Sequence, residues 1–163
     1  MTDTNLILAE KLLQACRAKD LKLATAESCT GGLIAAALTE IAGSSDVFER
    51  GFVTYSNAAK SASLGVPAEM IAGRGAVSEQ VARAMAEGAL RKSLADIAIA
   101  CTGIAGPGGG SADKPVGLVH IAVARGDDVT FHSEKRYGDI GRAEVRQATV
   151  RDALSLALEA ISD

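Results

Sequence analysis

The stretch that most limits what this chain can fold into is Ala95-Asp96-Ile97-Ala98-Ile99-Ala100-Cys101. Read as a strand, it is apolar at nearly every position on both alternating faces, so neither face suits water and both must be covered. A sheet holding such a strand needs helices above and below it, and the flanking sequence supplies them. Leu6, Ile7, Leu12 and Leu13 recur at helical spacing over about Thr4–Lys19, with basic residues late, as suits a helix C-terminus. Further helices are predicted over Leu33–Ala42, around Lys60 with Ser56 or Asn57 as cap, and after Pro67. Glu79–Ser93 follows Ser78 as N-cap and carries Val81, Ala82, Met85, Ala89 and Leu90 on one face. The last helix runs over about Gly141–Ile161. Strands are predicted at Leu21–Thr25, Gly51–Tyr55, Val116–Ala124 and Val129–Arg136, the last two joined by the hairpin signal Gly126-Asp127-Asp128. Mostly alternating strands and helices with one late hairpin predict an α/β fold, a mixed, mostly parallel sheet between helical layers. With 163 residues, no internal repeat and no long linker, the expectation is one domain over 1–163.

Charge and residue usage narrow the partners. Aromatic residues make up 3% of the chain and Trp is absent, so stacking platforms for single-stranded nucleic acid are scarce. A formal net charge of −3 gives no broad attraction to phosphate backbones, leaving room only for a small cationic pocket. Nucleic-acid binding is not expected. Cys16, Cys29 and Cys101 are an odd set without CxxC spacing, which predicts reduced thiols and no metal site. No basic secretory start and no apolar run of membrane-spanning length occurs, so a cytoplasmic protein without a membrane partner is expected.

Three unusual segments begin where a predicted strand ends: Glu27–Gly32, Tyr55–Lys60 and Thr102–Gly110. In open α/β sheets, ligands gather at the carboxyl ends of the strands. Ser28 precedes the Gly31-Gly32 pair where a helix is expected to begin, so free N–H groups there could hold a phosphate or an oxyanion. A capping role for Ser28 or Thr30 is the simpler alternative. A serine nucleophile needs a base. His120 and His132 are the only histidines; both fall within the late hairpin without an adjacent acidic orienter, which disfavours a Ser-His-Asp triad. Lys60 is the alternative, since a desolvated lysine can lose its proton near neutrality. Tyr55, at the strand end, could face the same pocket and relay a proton or orient the lysine. The Thr102–Gly110 loop, with glycines from Gly103 and Gly106 onward, could wrap a ligand with backbone amides. It matches neither a P-loop nor a dinucleotide fingerprint. Arg142 and Arg146 share a face of the last helix, from which one could reach a phosphate.

Five segments together resemble the CinA C-terminal domain family over nearly the whole chain. They are Thr25–Gly32, Gly51–Asn57, Gly75–Glu79, Gly103–Pro107 and Lys114–Gly117, in the family's order. The resemblance implies a three-layer α/β/α sandwich and, for stand-alone members, nicotinamide-nucleotide amidase activity. Its substrate would be nicotinamide mononucleotide, its products nicotinate mononucleotide and ammonia, and it would use no metal and no cofactor. The family's serine, tyrosine and lysine fall on Ser28, Tyr55 and Lys60. Substrate-binding positions are expected at Thr30, Gly31, Gly32, Thr102, Gly103, Gly106 and Arg142. One departure concerns Arg142: the family's Gly-Asp-Arg is interrupted here as Gly138-Asp139-Ile140-Gly141-Arg142. The same family includes the C-terminal half of longer competence- and damage-associated proteins, whose N-terminal domain this sequence lacks, which favours the enzyme. The rivals are a non-catalytic nucleotide-binding module and an amidase for another small amide. Apolar helix faces leave room for a homodimer.

Overall fold

The computed structural model describes residues 2–126 and 128–162. Asp127, within the Gly126-Asp127-Asp128 hairpin signal, lies outside the described residues. Five strands form one sheet: β1 (Leu23–Glu27), β2 (Phe48–Val53), β3 (Ile97–Gly103), β4 (Leu118–Arg125) and β5 (Phe131–Arg136). Their spatial order is β2-β1-β3-β4-β5. β1 pairs in parallel with both β2 and β3, while β4 runs antiparallel to β3 and to β5. Four strands therefore share a direction and β4 alone is reversed, the mixed sheet that the late hairpin predicts.

Six helices cover it: α1 (Asp3–Ala18), α2 (Leu33–Thr39), α3 (Asn57–Leu64), α4 (Ala68–Arg74), α5 (Glu79–Arg91) and α6 (Arg142–Ile161). Two of the predicted caps are made. The Ser56 hydroxyl accepts from Ala59 N–H at 3.0 Å and the Ser78 hydroxyl from Val81 N–H at 3.2 Å, each satisfying an otherwise orphaned amide.

The alternation in β3 sorts its side chains into two cores. Ile97, Ile99 and Cys101 join a core with residues of α1, α2 and α6. Ala98 and Ala100 join a second core with Val81, Ala82 and Met85 of α5 and Leu64 of α3. β1 and β4 repeat the rule, presenting Ala24, Ala26, Ala122 and Ala124 to the α5 side. Methyl-sized side chains let α5 lie close against the sheet, whereas the larger residues fill the opposite layer. Burying each leucine or isoleucine of that layer contributes roughly 1.5–3 kcal/mol. Gly88 extends the logic within α5: a Cβ there would overlap the backbone carbonyl of Leu64, so α3 packs against a helix surface stripped of its side chain.

Several strands are displaced from their sequence-predicted spans. β1 ends at Glu27 rather than Thr25, β2 covers Phe48–Val53 rather than Gly51–Tyr55, and β3 runs to Gly103. Glu27 continues a buried strand, against its polarity, because the start of α2 supplies donors for its carboxylate. The parallel strands β2, β1 and β3 all end on the same side of the sheet, and that side carries the site.

Candidate active site

Ser28, Tyr55 and Gly103 leave or terminate three adjacent strands and line one cavity of about 260 Å³. Cys29, Asn57, Lys60, Ala76, Val77, Thr102, the 104–109 loop and Arg142 complete most of its wall. Among the described residues the lining holds two basic side chains, Lys60 and Arg142, and no Asp or Glu, so an acidic protein carries a pocket free of negative side chains.

Lys60 lies one turn into α3 with its side chain directed inward and only 1% exposed. Its Nζ stands 3.0 Å from Ser28 Oγ, 3.1 Å from the carbonyl oxygen of Thr54 and 3.3 Å from that of Tyr55. Among the described residues, no carboxylate touches it. Burial lowers the lysine pKa, and neighbouring Cys29 and Cys101 offset part of that effect. The three contacts match the three donors of a protonated amine; on losing a proton Nζ could keep both carbonyls and turn its lone pair to the serine O–H. Ser28 Oγ and Lys60 Nζ are thus within direct hydrogen-bond reach of each other.

The turn bearing Ser28 is held from behind by Glu27 and Arg146, neither of which was expected in that role. Glu27 is fully buried. Its Oε1 accepts from the Thr30 hydroxyl at 2.6 Å and from Ile34 N–H at 2.8 Å, and its Oε2 accepts from Ala35 N–H at 3.0 Å. From α6, Arg146 donates through Nε to the carbonyl of Cys29 at 3.2 Å and through Nη2 to that of Thr30 at 3.1 Å. Ser28 N–H donates to the Cys101 carbonyl at 3.1 Å. Glu27 fell in the turn expected after a strand ending at Thr25, and Arg146 was singled out only by the helix face it shares with Arg142, as a possible phosphate contact; the structure instead sets it on the Cys29 and Thr30 carbonyls.

This arrangement corrects the picture of Ser28 at a helix N-terminus. α2 begins at Leu33, and neither Ser28 nor Thr30 caps it; the cap position is Gly32, in a left-handed conformation. The Ile34 and Ala35 amides already belong to Glu27, because a buried carboxylate and orphaned helix donors satisfy each other. Thr30 is fully buried, its hydroxyl engaged by Glu27 and 3.1 Å from Cys101 Sγ. Thr30, Gly31 and Gly32 are not among the residues lining the cavity. Gly31, at φ +59°, and Gly32, at φ +110°, instead let the chain double back beneath Ser28.

Tyr55 lines the cavity, as the strand end suggests. Its backbone carbonyl, not its hydroxyl, touches Lys60; the side chain is 59% exposed at the cavity mouth. There its hydroxyl accepts from Arg142 Nη2 at 2.8 Å, while Arg142 Nη1 donates to the Gly106 carbonyl at 2.8 Å. Despite the interrupted Gly-Asp-Arg spacing, Arg142 therefore reaches the cavity from the first turn of α6. Thr102 and Gly103 close the floor, the Thr102 hydroxyl donating to the Ala76 carbonyl at 2.8 Å.

The histidines lie elsewhere. His120 Nδ1 and His132 Nε2 are 2.9 Å apart with stacked rings, and neither lines the cavity. Burial lowers both of their pKa values. Among the described residues, no three His, Cys, Asp or Glu side chains converge as ligands for a metal ion. Among the same residues, no helix is long and apolar enough to cross a membrane.

A family model described as the CinA C-terminal domain matches residues 5–161. An Escherichia coli protein named nicotinamide-nucleotide amidohydrolase PncC is 49% identical over 164 residues, covering 99% of this chain and 95% of its own length. A putative competence-damage inducible protein of Caldicellulosiruptor bescii is 49% identical over 157 residues, but this chain spans only 38% of that relative. A cyanobacterial CinA-like protein from a Synechococcus strain is 54% identical, with 36% of its length covered. Among solved structures, the competence/damage inducible protein CihA from Agrobacterium tumefaciens is 55% identical with a TM-score of 0.96, covering 100% of this chain and 98% of its own.

Proposed function

The chain belongs to the CinA C-terminal domain family, and on that premise we propose that it hydrolyses the carboxamide of nicotinamide mononucleotide to nicotinate mononucleotide and ammonia. The observation that carries the reading is the 3.0 Å approach of the buried Lys60 amine to Ser28 Oγ inside a cavity without acidic side chains. The near full-length similarity to a protein named for that activity supports the substrate.

In this mechanism the neutral Lys60 Nζ takes the Ser28 hydroxyl proton as Oγ attacks the carboxamide carbon. The carbonyl π pair moves onto oxygen. When the tetrahedral intermediate collapses, Lys60 returns the proton to the leaving nitrogen, which departs as ammonia and leaves an ester on Ser28. Water then gives a proton to Lys60 and adds to the ester carbon; the Oγ–C bond breaks, Ser28 regains its proton and the carboxylic acid is released. The Thr54 and Tyr55 carbonyls hold Nζ in place through both half-reactions. Arg142 and the exposed Tyr55 hydroxyl, at the mouth, are placed to take the substrate phosphate. Tyr55 acts there on binding rather than on the serine proton. Glu27 and Arg146 are positioning residues, fixing the turn from which Oγ projects.

Ammonia and nicotinate mononucleotide are to be measured from nicotinamide mononucleotide with wild type, Ser28→Ala and Lys60→Ala, each checked for folding by circular dichroism. Turnover by wild type and its loss in both folded variants is the expected result. Absence of turnover at high enzyme concentration would remove the substrate assignment. Binding of the nucleotide without turnover would leave a nucleotide-binding module.

A further inference from the structure

The proposed reaction places negative charge on the carboxamide oxygen, and the sequence leaves two backbone segments to receive it, Gly31-Gly32 and Thr102–Gly106. The hydrogen-bond pattern decides between them. At the first segment Gly31 N–H binds the Ser28 carbonyl at 3.0 Å, Leu33 N–H binds that of Thr30 at 3.1 Å, Ile34 and Ala35 bind Glu27, and neither Gly31 nor Gly32 lines the cavity.

At the second segment, strand parity sets one amide toward the nucleophile. Ile104 N–H donates to Leu118 O at 2.9 Å, so the even-numbered residues at this end of β3 turn their backbone groups toward β4. The Cys101 carbonyl accepts from Ser28 N–H, so the odd-numbered residues face β1. Gly103 therefore aims its N–H toward β1, but β1 has ended at Glu27. The acceptor that a continued parallel ladder would offer is the Ser28 carbonyl, which the turn instead directs to Gly31 N–H at 3.0 Å. Strand parity thus turns Gly103 N–H away from β4, among the described residues no bond from it to the Ser28 turn is formed, and Gly103 lines the cavity with Ser28. An unmatched backbone donor carries a free-energy cost unless water or ligand meets it.

We infer that the Gly103 N–H is a catalytic donor that holds the oxyanion formed when Ser28 attacks the carboxamide. The inference rests on the serine amidase reading. The residue type follows from packing: a Cβ on Gly103 would stand 2.6 Å from Val119 Cγ2 and 2.9 Å from the Leu118 carbonyl. A side chain would lift the strand end off β4 and turn the N–H away from the nucleophile. The α2 side and the β3 side thus differ in two respects: the Gly31, Ile34 and Ala35 amides are already bonded, and Gly103 lines the cavity whereas Gly31 and Gly32 do not.

The test uses wild-type protein and the mononucleotide of pyridine-3-carbaldehyde, labelled with 13C at the aldehyde carbon. Ser28 Oγ adds to that carbon, the π pair moves to oxygen, and the serine proton ends on Lys60 or on the new oxygen. No co-reactant is needed. Labelling threonine with 13C at the carbonyl and glycine with 15N selects the Thr-Gly pairs, which in this sequence are Thr30-Gly31 and Thr102-Gly103. The two amides under comparison are then the ones observed. The expected result is conversion of the aldehyde carbon to a hemiacetal, absent in Ser28→Ala, with the Gly103 amide proton moving downfield by more than that of Gly31. A hemiacetal with Gly103 unmoved, or with Gly31 moving further, overturns the assignment while the amidase reading stands. Failure of wild type to form the adduct overturns both.

Discussion

Replacing Glu27 with glutamine changes almost no volume, yet it should cost the protein much of its stability. The carboxylate accepts three hydrogen bonds in a fully buried position. A glutamine oxygen can still serve Thr30 and Ile34, but its NH2 group then opposes the Ala35 N–H, donor against donor. Losing that charge-assisted bond costs about 1.5–3 kcal/mol, and reducing the other two from charged to neutral costs up to about 1 kcal/mol each. Together these give roughly 3 kcal/mol, a large share of a typical folding free energy of about 5–15 kcal/mol. In urea, with a slope of roughly 2 kcal/mol per molar, the midpoint followed by far-ultraviolet circular dichroism should fall by about 1.5 M. Turnover measured well below that midpoint should also drop, because the Ser28 turn loses its anchor. A midpoint shift under about 0.25 M would refute the reasoning, since it would mean that the carboxylate contributes less than an ordinary neutral hydrogen bond.

Other consequences concern the base, the histidines and one helix contact. Because burial lowers the Lys60 pKa, kcat/KM should rise with pH as Lys60 loses its proton, along a limb lying below the ordinary lysine range. Lys60→Arg puts a permanently protonated group beside Ser28 that cannot act as base, so kcat should fall by about 10²–10⁴-fold; retention of half the activity would exclude Lys60 as base. His120 and His132 have folded pKa values below their ordinary value, burial being the main cause, with Arg83 and Lys114 adding to it and Glu79 and Glu134 opposing it. The unfolded chain then binds more protons near and below pH 6.5, so this contribution is complete above that pH and is lost as pH falls through the folded values. Urea midpoints should drop more between pH 7.5 and 5.5 for wild type than for a His120→Gln/His132→Gln variant, and equal drops would contradict it. Gly88→Ala should destabilise by about 1–3 kcal/mol in thermal melts, despite the better helix propensity of alanine, because its methyl overlaps the Leu64 carbonyl. A rise in Tm would show that α3 and α5 can separate without cost.

What was legible in the sequence is what neighbouring residues decide among themselves. The Ile-Ala alternation of residues 97–100 required a sheet covered on both faces, and the two cores follow it residue by residue. Ser56 and Ser78 cap their helices because a cap needs only the next three residues. The convergence of Ser28, Tyr55 and Thr102 followed from parallel strands ending on one side. The five matching segments carried the family and, through it, the pairing of Ser28 with Lys60.

Tertiary structure alone decided how those groups are aimed. Nothing near Lys60 in the chain states that its amine meets a hydroxyl 32 residues away, or that Tyr55 offers its carbonyl there while its phenol turns to Arg142. Nothing near Ser28 states that Arg146 of the last helix grips its turn. The helix amides next to the nucleophile looked available until Glu27 was seen to occupy them, and Gly103 looked like a loop residue until β3 ran through it. The reason is physical: periodicity and capping are set by the few residues within reach along the backbone, whereas the direction of a donor and the identity of its acceptor depend on elements that meet only when the sheet is assembled.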